Sequence, residues 1–126
     1  RLLTPLATLL YKAATDSLDD EFLQWRDESA VTVVLAAQGY PEAPQTGSEI
    51  SAFPAVEHAQ IFHAGTSQSG NSLLSSGGRV LTVTGTGQDL TEARDRAYQA
   101  ISLIELEGSF YRSDIALNAS VAEKGN

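Results

Sequence analysis

Residues 80–84, Val80-Leu81-Thr82-Val83-Thr84, form a β-branched run enclosed by glycines, and an amphipathic pattern follows at once. No other stretch restricts the fold as much. Gly77 and Gly78 precede the run. Gly85 and Gly87 are expected to break it, because glycine adopts the backbone angles of a sharp reversal. Asp89 stands three residues before Glu92, the spacing of a capping box. Leu90, Ala93, Ala97, Ala100, Ile101 and Ile104 then recur at helical steps and define one apolar face. Glu92, Arg94, Asp95, Arg96 and Gln99 lie off that face and are expected in solvent. The alanines let such a helix lie close on the sheet that contains the strand.

The rest of the chain supplies elements around this pair. Thr4-Pro5 reads as a cap and first helical residue, followed by a stripe of Leu6, Leu9, Leu10, Ala13 and Ala14. So short a helix needs a packing partner, and self-association through it would supply one. Residues 16–28 are rich in acid around Phe22, Leu23 and Trp25, and are read as a short second helix and a turn, with Trp25 as a packing anchor. Residues 30–37 are almost continuously apolar, which predicts a central strand covered on both faces. The loop 38–47 holds two prolines and two glycines and is a natural place for ligand contacts.

Residues 50–56 read as irregular, with Pro54 opposing a strand. A second strand is expected over 59–66, a polar turn over 67–72, and a short strand at 73–76 that turns by a hairpin into the central run. Gly108 is placed as the stop of the long helix, 110–115 as extended, and the tail from Ala116 as a helical turn that frays toward Asn126. The sum is an α+β domain: a small antiparallel sheet covered by one main helix and preceded by a helical segment.

Composition narrows the function. A chain of 126 residues can hold one core and an appendage. The net charge is −8, and eight Lys and Arg spread over the chain supply no obvious basic face for a duplex, so nucleic acid is not an expected partner. A small anion held by one or two arginines remains compatible with that balance. The apolar runs fall short of a membrane span, and no leader pattern opens the chain. Cysteine is absent, which is compatible with the cytosol and removes thiolate metal sites. Because Arg1 opens the chain inside a periodic apolar pattern, a piece of a longer protein is expected.

Few residues carry recognisable chemistry. Gly85-Thr86-Gly87 lacks the third glycine of a dinucleotide turn, since position 90 is Leu, though the helix start after it could receive an anion. His58 and His63 are the only histidines and are not at ligand spacing; Asp19, Asp20 and Glu21 read as an acidic helix start rather than a metal site. No metal site and no catalytic residue is therefore assigned. His63 ends a strand beside Gly65, a glycine that would let a ligand come close to the backbone, and Arg79 leads the central run. Arg79 and Arg112 could each clamp a phosphate or pair with a carboxylate.

The ordered set Gly39-Tyr40-Pro41, Phe62-His63-Ala64-Gly65-Thr66, Gly77-Gly78-Arg79-Val80-Leu81-Thr82-Val83-Thr84, Ala93 with Ala97-Tyr98, and Tyr111-Arg112-Ser113-Asp114-Ile115 resembles the C-terminal part of the phosphoribosylamine–glycine ligase family, the glycinamide ribonucleotide synthetases. The resemblance covers nearly the whole chain. It implies an ATP-grasp ligase of purine biosynthesis in the cytoplasm. ATP phosphorylates glycine, and 5-phosphoribosylamine then attacks to give glycinamide ribonucleotide, ADP and phosphate. It further implies that ATP and its magnesium or manganese are held upstream, so this chain alone binds no cofactor and is inactive. Residues 1–29 correspond to the helical tail of the ATP-grasp domain, and 30–126 to a C-terminal, rudiment-hybrid-like substrate-cleft domain. Its partners are the upstream domains and small substrates, with contacts assigned to His63, Gly65, Thr66 and Arg79. A packing or oligomerisation module is the rival reading. Two departures stand out. Glu42-Ala43-Pro44 replaces a usual glycine and aromatic, and Ala116 and Asn118 stand where the family commonly has glycine and arginine.

Overall fold

The structure, a computed structural model, describes residues 1–19, 22–53 and 55–125. Helix α1 spans Leu6–Ala14. The strands are β1 (Ser29–Ala36), β2 (Ile50–Ser51), β3 (Ala59–His63), β4 (Thr66–Ser69), β5 (Ser72–Ser75), β6 (Arg79–Gly87) and β7 (Glu105–Leu106). Helix α2 (Leu90–Ser102) lies between β6 and β7, and α3 (Leu117–Lys124) follows β7.

The glycine-bounded run lies within β6, the middle strand of an antiparallel sheet ordered β1-β6-β3. Its register runs from Ser29 opposite Gly87 to Ala36 opposite Arg79 on one side, and from Ala59 opposite Gly85 to His63 opposite Leu81 on the other. The fold is thus α+β, with α2 laid across one face. Val31, Val33, Leu35, Leu81 and Val83 meet Ala93, Ala97, Ala100 and Ile101, all essentially buried. No helix among the described residues is long and apolar enough to cross a membrane.

Gly85 does not break the strand but lies inside it, and Gly87 is its last residue. A Cβ on Gly85 would lie 2.3 Å from the Ala93 carbonyl oxygen and 2.5 Å from the Ala97 nitrogen, and one on Gly87 would lie 2.6 Å from the Ala93 nitrogen. They are glycines because the helix backbone comes that close, not because the chain turns. The cap forms as expected: Asp89 Oδ1 accepts the Glu92 N–H at 2.8 Å. Glu92 is not left in solvent, however. It accepts the Gln88 N–H at 2.7 Å and an Arg96 N–H at 2.6 Å, while Arg96 also donates to the Thr86 carbonyl at 2.6 Å. These bonds fasten the helix start to the strand end.

Other expectations are corrected. Strand β1 is not central: its burial alternates, and Val34 is 38% exposed, since only one face of the sheet carries a helix. The stretch 67–72 is not a plain turn but most of the hairpin β4–β5, so β5 pairs back with β4 and not onward with β6. Helix α2 closes at Leu103, and Gly108 lies beyond β7. Thr4 does not cap α1; its Oγ1 accepts the Gln24 N–H at 2.8 Å, and Pro5 is the cap residue. No second helix occupies the described residues of 16–28, and Trp25 is 55% exposed, bridged through its backbone to Leu2. Asp20, Glu21, Pro54 and Asn126 lie outside the described residues. Helix α1 buries no residue, leaving Leu6 and Leu10 exposed.

The tail is a regular helix strapped over α2. Arg94 donates to the carbonyls of Ile115 at 3.1 Å and Ser113 at 2.6 Å. The Tyr98 hydroxyl donates to the Arg112 carbonyl at 2.5 Å and accepts the Ile115 N–H at 3.1 Å. Ala116 enters α3 at φ +59°, a left-handed conformation that an L-side chain resists. Two substitutions are therefore expected to act with opposite sign in urea unfolding. Ala116→Gly relieves strain and should stabilise by about 0.5–1 kcal/mol. Gly85→Ala forces α2 off the sheet and should cost about 1–3 kcal/mol.

Candidate functional site

An open groove of about 640 Å³ lies at the Arg79 end of β6. It is walled by Val34 and Thr82 from the uncovered sheet face, by Tyr40 from the loop after β1, and by Gly65, Gly78 and Arg79. The sequence brings these together through β6: Arg79 is its first residue, and the β1 and β3 ends flank it.

Of the four residues expected at a substrate site, Gly65 and Arg79 line this groove. His63 and Thr66 are not in its lining: His63 pairs opposite the core residue Leu81, and the two bond each other, with His63 Nδ1 3.1 Å from Thr66 Oγ1. The His63 ring also lies 5.8 Å from that of Phe53. Gly65 was expected to open the backbone to a ligand. Its space is taken by the chain itself: a Cβ there would lie 2.8 Å from both the Arg79 carbonyl oxygen and the Gly77 Cα. The Gly65 N–H donates to that carbonyl, and its own carbonyl accepts the Ser76 N–H, each at 2.8 Å.

The arginines divide clearly. Arg112 grips Asp114 through two bonds, Nε to Oδ1 at 2.9 Å and Nη2 to Oδ2 at 2.6 Å, and is no phosphate clamp here. Arg94 and Arg96 are held by carbonyls and Glu92. The Arg79 guanidinium meets no acceptor and no carboxylate among the described residues. An unpaired guanidinium in a groove is an anion receptor, well suited to a phosphate. Tyr40 belonged to a motif of the resemblance but was not among the assigned contacts. The signal was Gly78: a Cβ there would lie 2.4 Å from Tyr40 Cδ2. Among the described residues no three His, Asp or Glu side chains gather as metal ligands.

A family model described as phosphoribosylglycinamide synthetase, C domain, matches residues 30–118. The chain belongs to that family. The phosphoribosylamine–glycine ligase of Streptomyces coelicolor is 54% identical over 97% of this chain, and that of Rhizobium meliloti 46% identical over 98%. The chain spans only 31% and 29% of those two relatives. A crystal structure of the phosphoribosylamine–glycine ligase of Thermotoga maritima superposes with a TM-score of 0.64 at 48% identity, covering 69% of this chain and 22% of that one. Every groove residue of this synthetase C domain lies inside the matched span, and α1 lies outside it.

The Arg112–Asp114 pair gives the C domain a titration signature. The hydrogen bond from Arg112 holds the Asp114 carboxyl below the usual aspartate range, and the same bond raises the guanidinium. With the folded midpoint depressed, the pair's contribution is present above the usual aspartate range. It is lost as pH falls through the depressed midpoint. Carboxyl NMR should find the Asp114 midpoint low and Arg112→Ala should return it toward normal. Both groups are exposed, so the effect on stability should be small.

Proposed function

We propose that this chain is the C-terminal, substrate-cleft domain of a longer ATP-grasp ligase. That ligase joins glycine to 5-phosphoribosylamine and releases glycinamide ribonucleotide, ADP and phosphate in cytoplasmic purine biosynthesis. The family match and the relatives' names support the assignment. The observation that carries the role of this domain is the unpaired Arg79 guanidinium in a groove within the matched span.

In this reading residues 30–126 form the substrate-cleft domain and residues 1–29 are the helical tail of the ATP-grasp domain. The start of the family match at residue 30 agrees with that division. Arg79 takes the ribosyl phosphate by charge-assisted hydrogen bonds. The paired His63 and Thr66, together with Gly65, frame the same end of the sheet. ATP and its magnesium or manganese belong to the upstream part, where they supply activation of the glycine carboxylate. The upstream domains are accordingly the main partner, and this chain alone does not turn over.

A second reading, a packing or self-association module, draws on one observation: the apolar residues Leu9, Leu10, Ala13, Leu18 and Leu23 enclose an uncovered hollow at α1. Arg79 separates the two. In the full-length ligase, Arg79→Ala should raise the KM for phosphoribosylamine at least about tenfold, with the KM for ATP unchanged. An unchanged KM for phosphoribosylamine removes Arg79 from the site. Turnover by this chain alone, given ATP, glycine and phosphoribosylamine, refutes the division of labour.

A further inference from the structure

We propose that Tyr40 reads the sugar of the phosphorylated ribose whose phosphate rests on Arg79. The inference builds on the groove being the phosphoribosylamine site, and it assigns a selectivity role to a residue outside the four contacts named above.

The ring is held in place from several sides. Gly39 adopts φ +81°, and its carbonyl accepts the Ala43 N–H at 2.9 Å, folding the loop back on itself. The Tyr40 N–H reaches the Ala37 carbonyl at 3.2 Å, while the Ala37 N–H is bonded to the Gly78 carbonyl at 2.8 Å. The base of the loop is thereby tied to the chain just before Arg79. The ring edge occupies the space a side chain at position 78 would need. Tyr40 is therefore a fixed wall of the groove.

Its hydroxyl is the second observation. The ring is half-buried, yet the hydroxyl has no hydrogen-bond partner among the described residues. Among the described residues no buried side-chain polar atom lacks a partner, so this hydroxyl reaches solvent, where a ligand can meet it. The N–H groups of Gly77 and Gly78 likewise donate to no acceptor among the described residues. The groove is thus lined by an unpaired cation and by a tyrosine whose hydroxyl meets no other protein group among the described residues. A bare phosphate can use the cation. A ribose phosphate can also rest its C–H surface on the ring and exchange a hydrogen bond with the hydroxyl. Tyr40 therefore separates the two ligands, where Arg79 holds both.

The test is calorimetric titration of the full-length ligase with inorganic phosphate and with ribose 5-phosphate, for the parent, Arg79→Ala and Tyr40→Phe. The parent should prefer ribose 5-phosphate, and Arg79→Ala should weaken both ligands. Tyr40→Phe should weaken ribose 5-phosphate about three- to tenfold and leave phosphate unchanged. If Arg79→Ala weakens both while Tyr40→Phe changes neither, the Tyr40 role falls and the site stands. Equal weakening of both ligands by Tyr40→Phe makes the residue a loop support and overturns sugar reading. If Arg79→Ala changes nothing, or the parent binds neither ligand, the reading of the groove fails and Tyr40 falls with it.

Discussion

The near contact of two backbones, α2 on β6, sets the position of everything else. It exists because neither surface carries bulk: glycines at 85 and 87 face alanines at 93 and 97. Larger side chains on either element would separate them by ångströms and open the core that Val33, Leu35 and Val83 fill. The helix start is fixed to the same strand end by Asp89, Glu92 and Arg96. With β6 clamped at its Gly87 end and paired along both edges, its other end becomes a rigid mount, and Arg79 is the residue mounted there.

This division of β6 explains which parts of the fold were legible in the sequence. The strand, the cap and the alanine face depend on neighbours within a few residues, and local pattern captured them. The role of Gly85 and Gly87 depends on a helix that returns over the strand after a turn. A glycine's local preference for turns gave the wrong reason for the right residues. Strand β1 misled for a related cause. Its apolar run looks fit for burial on both sides, yet in this chain only the α2 face is covered, and Val34 stays open beside the groove. The acidic stretch around Trp25 offered helical composition without a surface for a helix to pack on.

The site was legible to a smaller extent. Arg79 could be named from its place before the central strand, but whether it was free or paired depended on carboxylates distant in sequence. Gly65 was picked for openness and proves to be a crossing point of the chain. Tyr40 stood in a quoted motif, but its place against the groove shows only through Gly78, a residue whose missing side chain records the ring that takes its place. A glycine is read correctly only when the atom occupying its vacant Cβ position is known.

The tail bears on the same question of which cation is available. The start of α2 is an anion-receptive place, with unsatisfied N–H groups and the positive end of the helix dipole. It is already satisfied from within: Glu123 of α3 accepts the Leu90 N–H at 2.7 Å, and Asp89 accepts that of Glu92. Arg112 is taken by Asp114, and Arg96 by Glu92. A chain this acidic neutralises most of its own anion receptors. The groove at Arg79 escapes because its lining is Val34, Tyr40, Ala64, Gly65, Gly78 and Thr82, with no carboxylate among them. Exclusion of acid from that lining, more than any concentration of positive charge, is what leaves the guanidinium open to an anion. The selectivity of such a site then has to come from its walls, and Tyr40 is the wall with an unused polar atom.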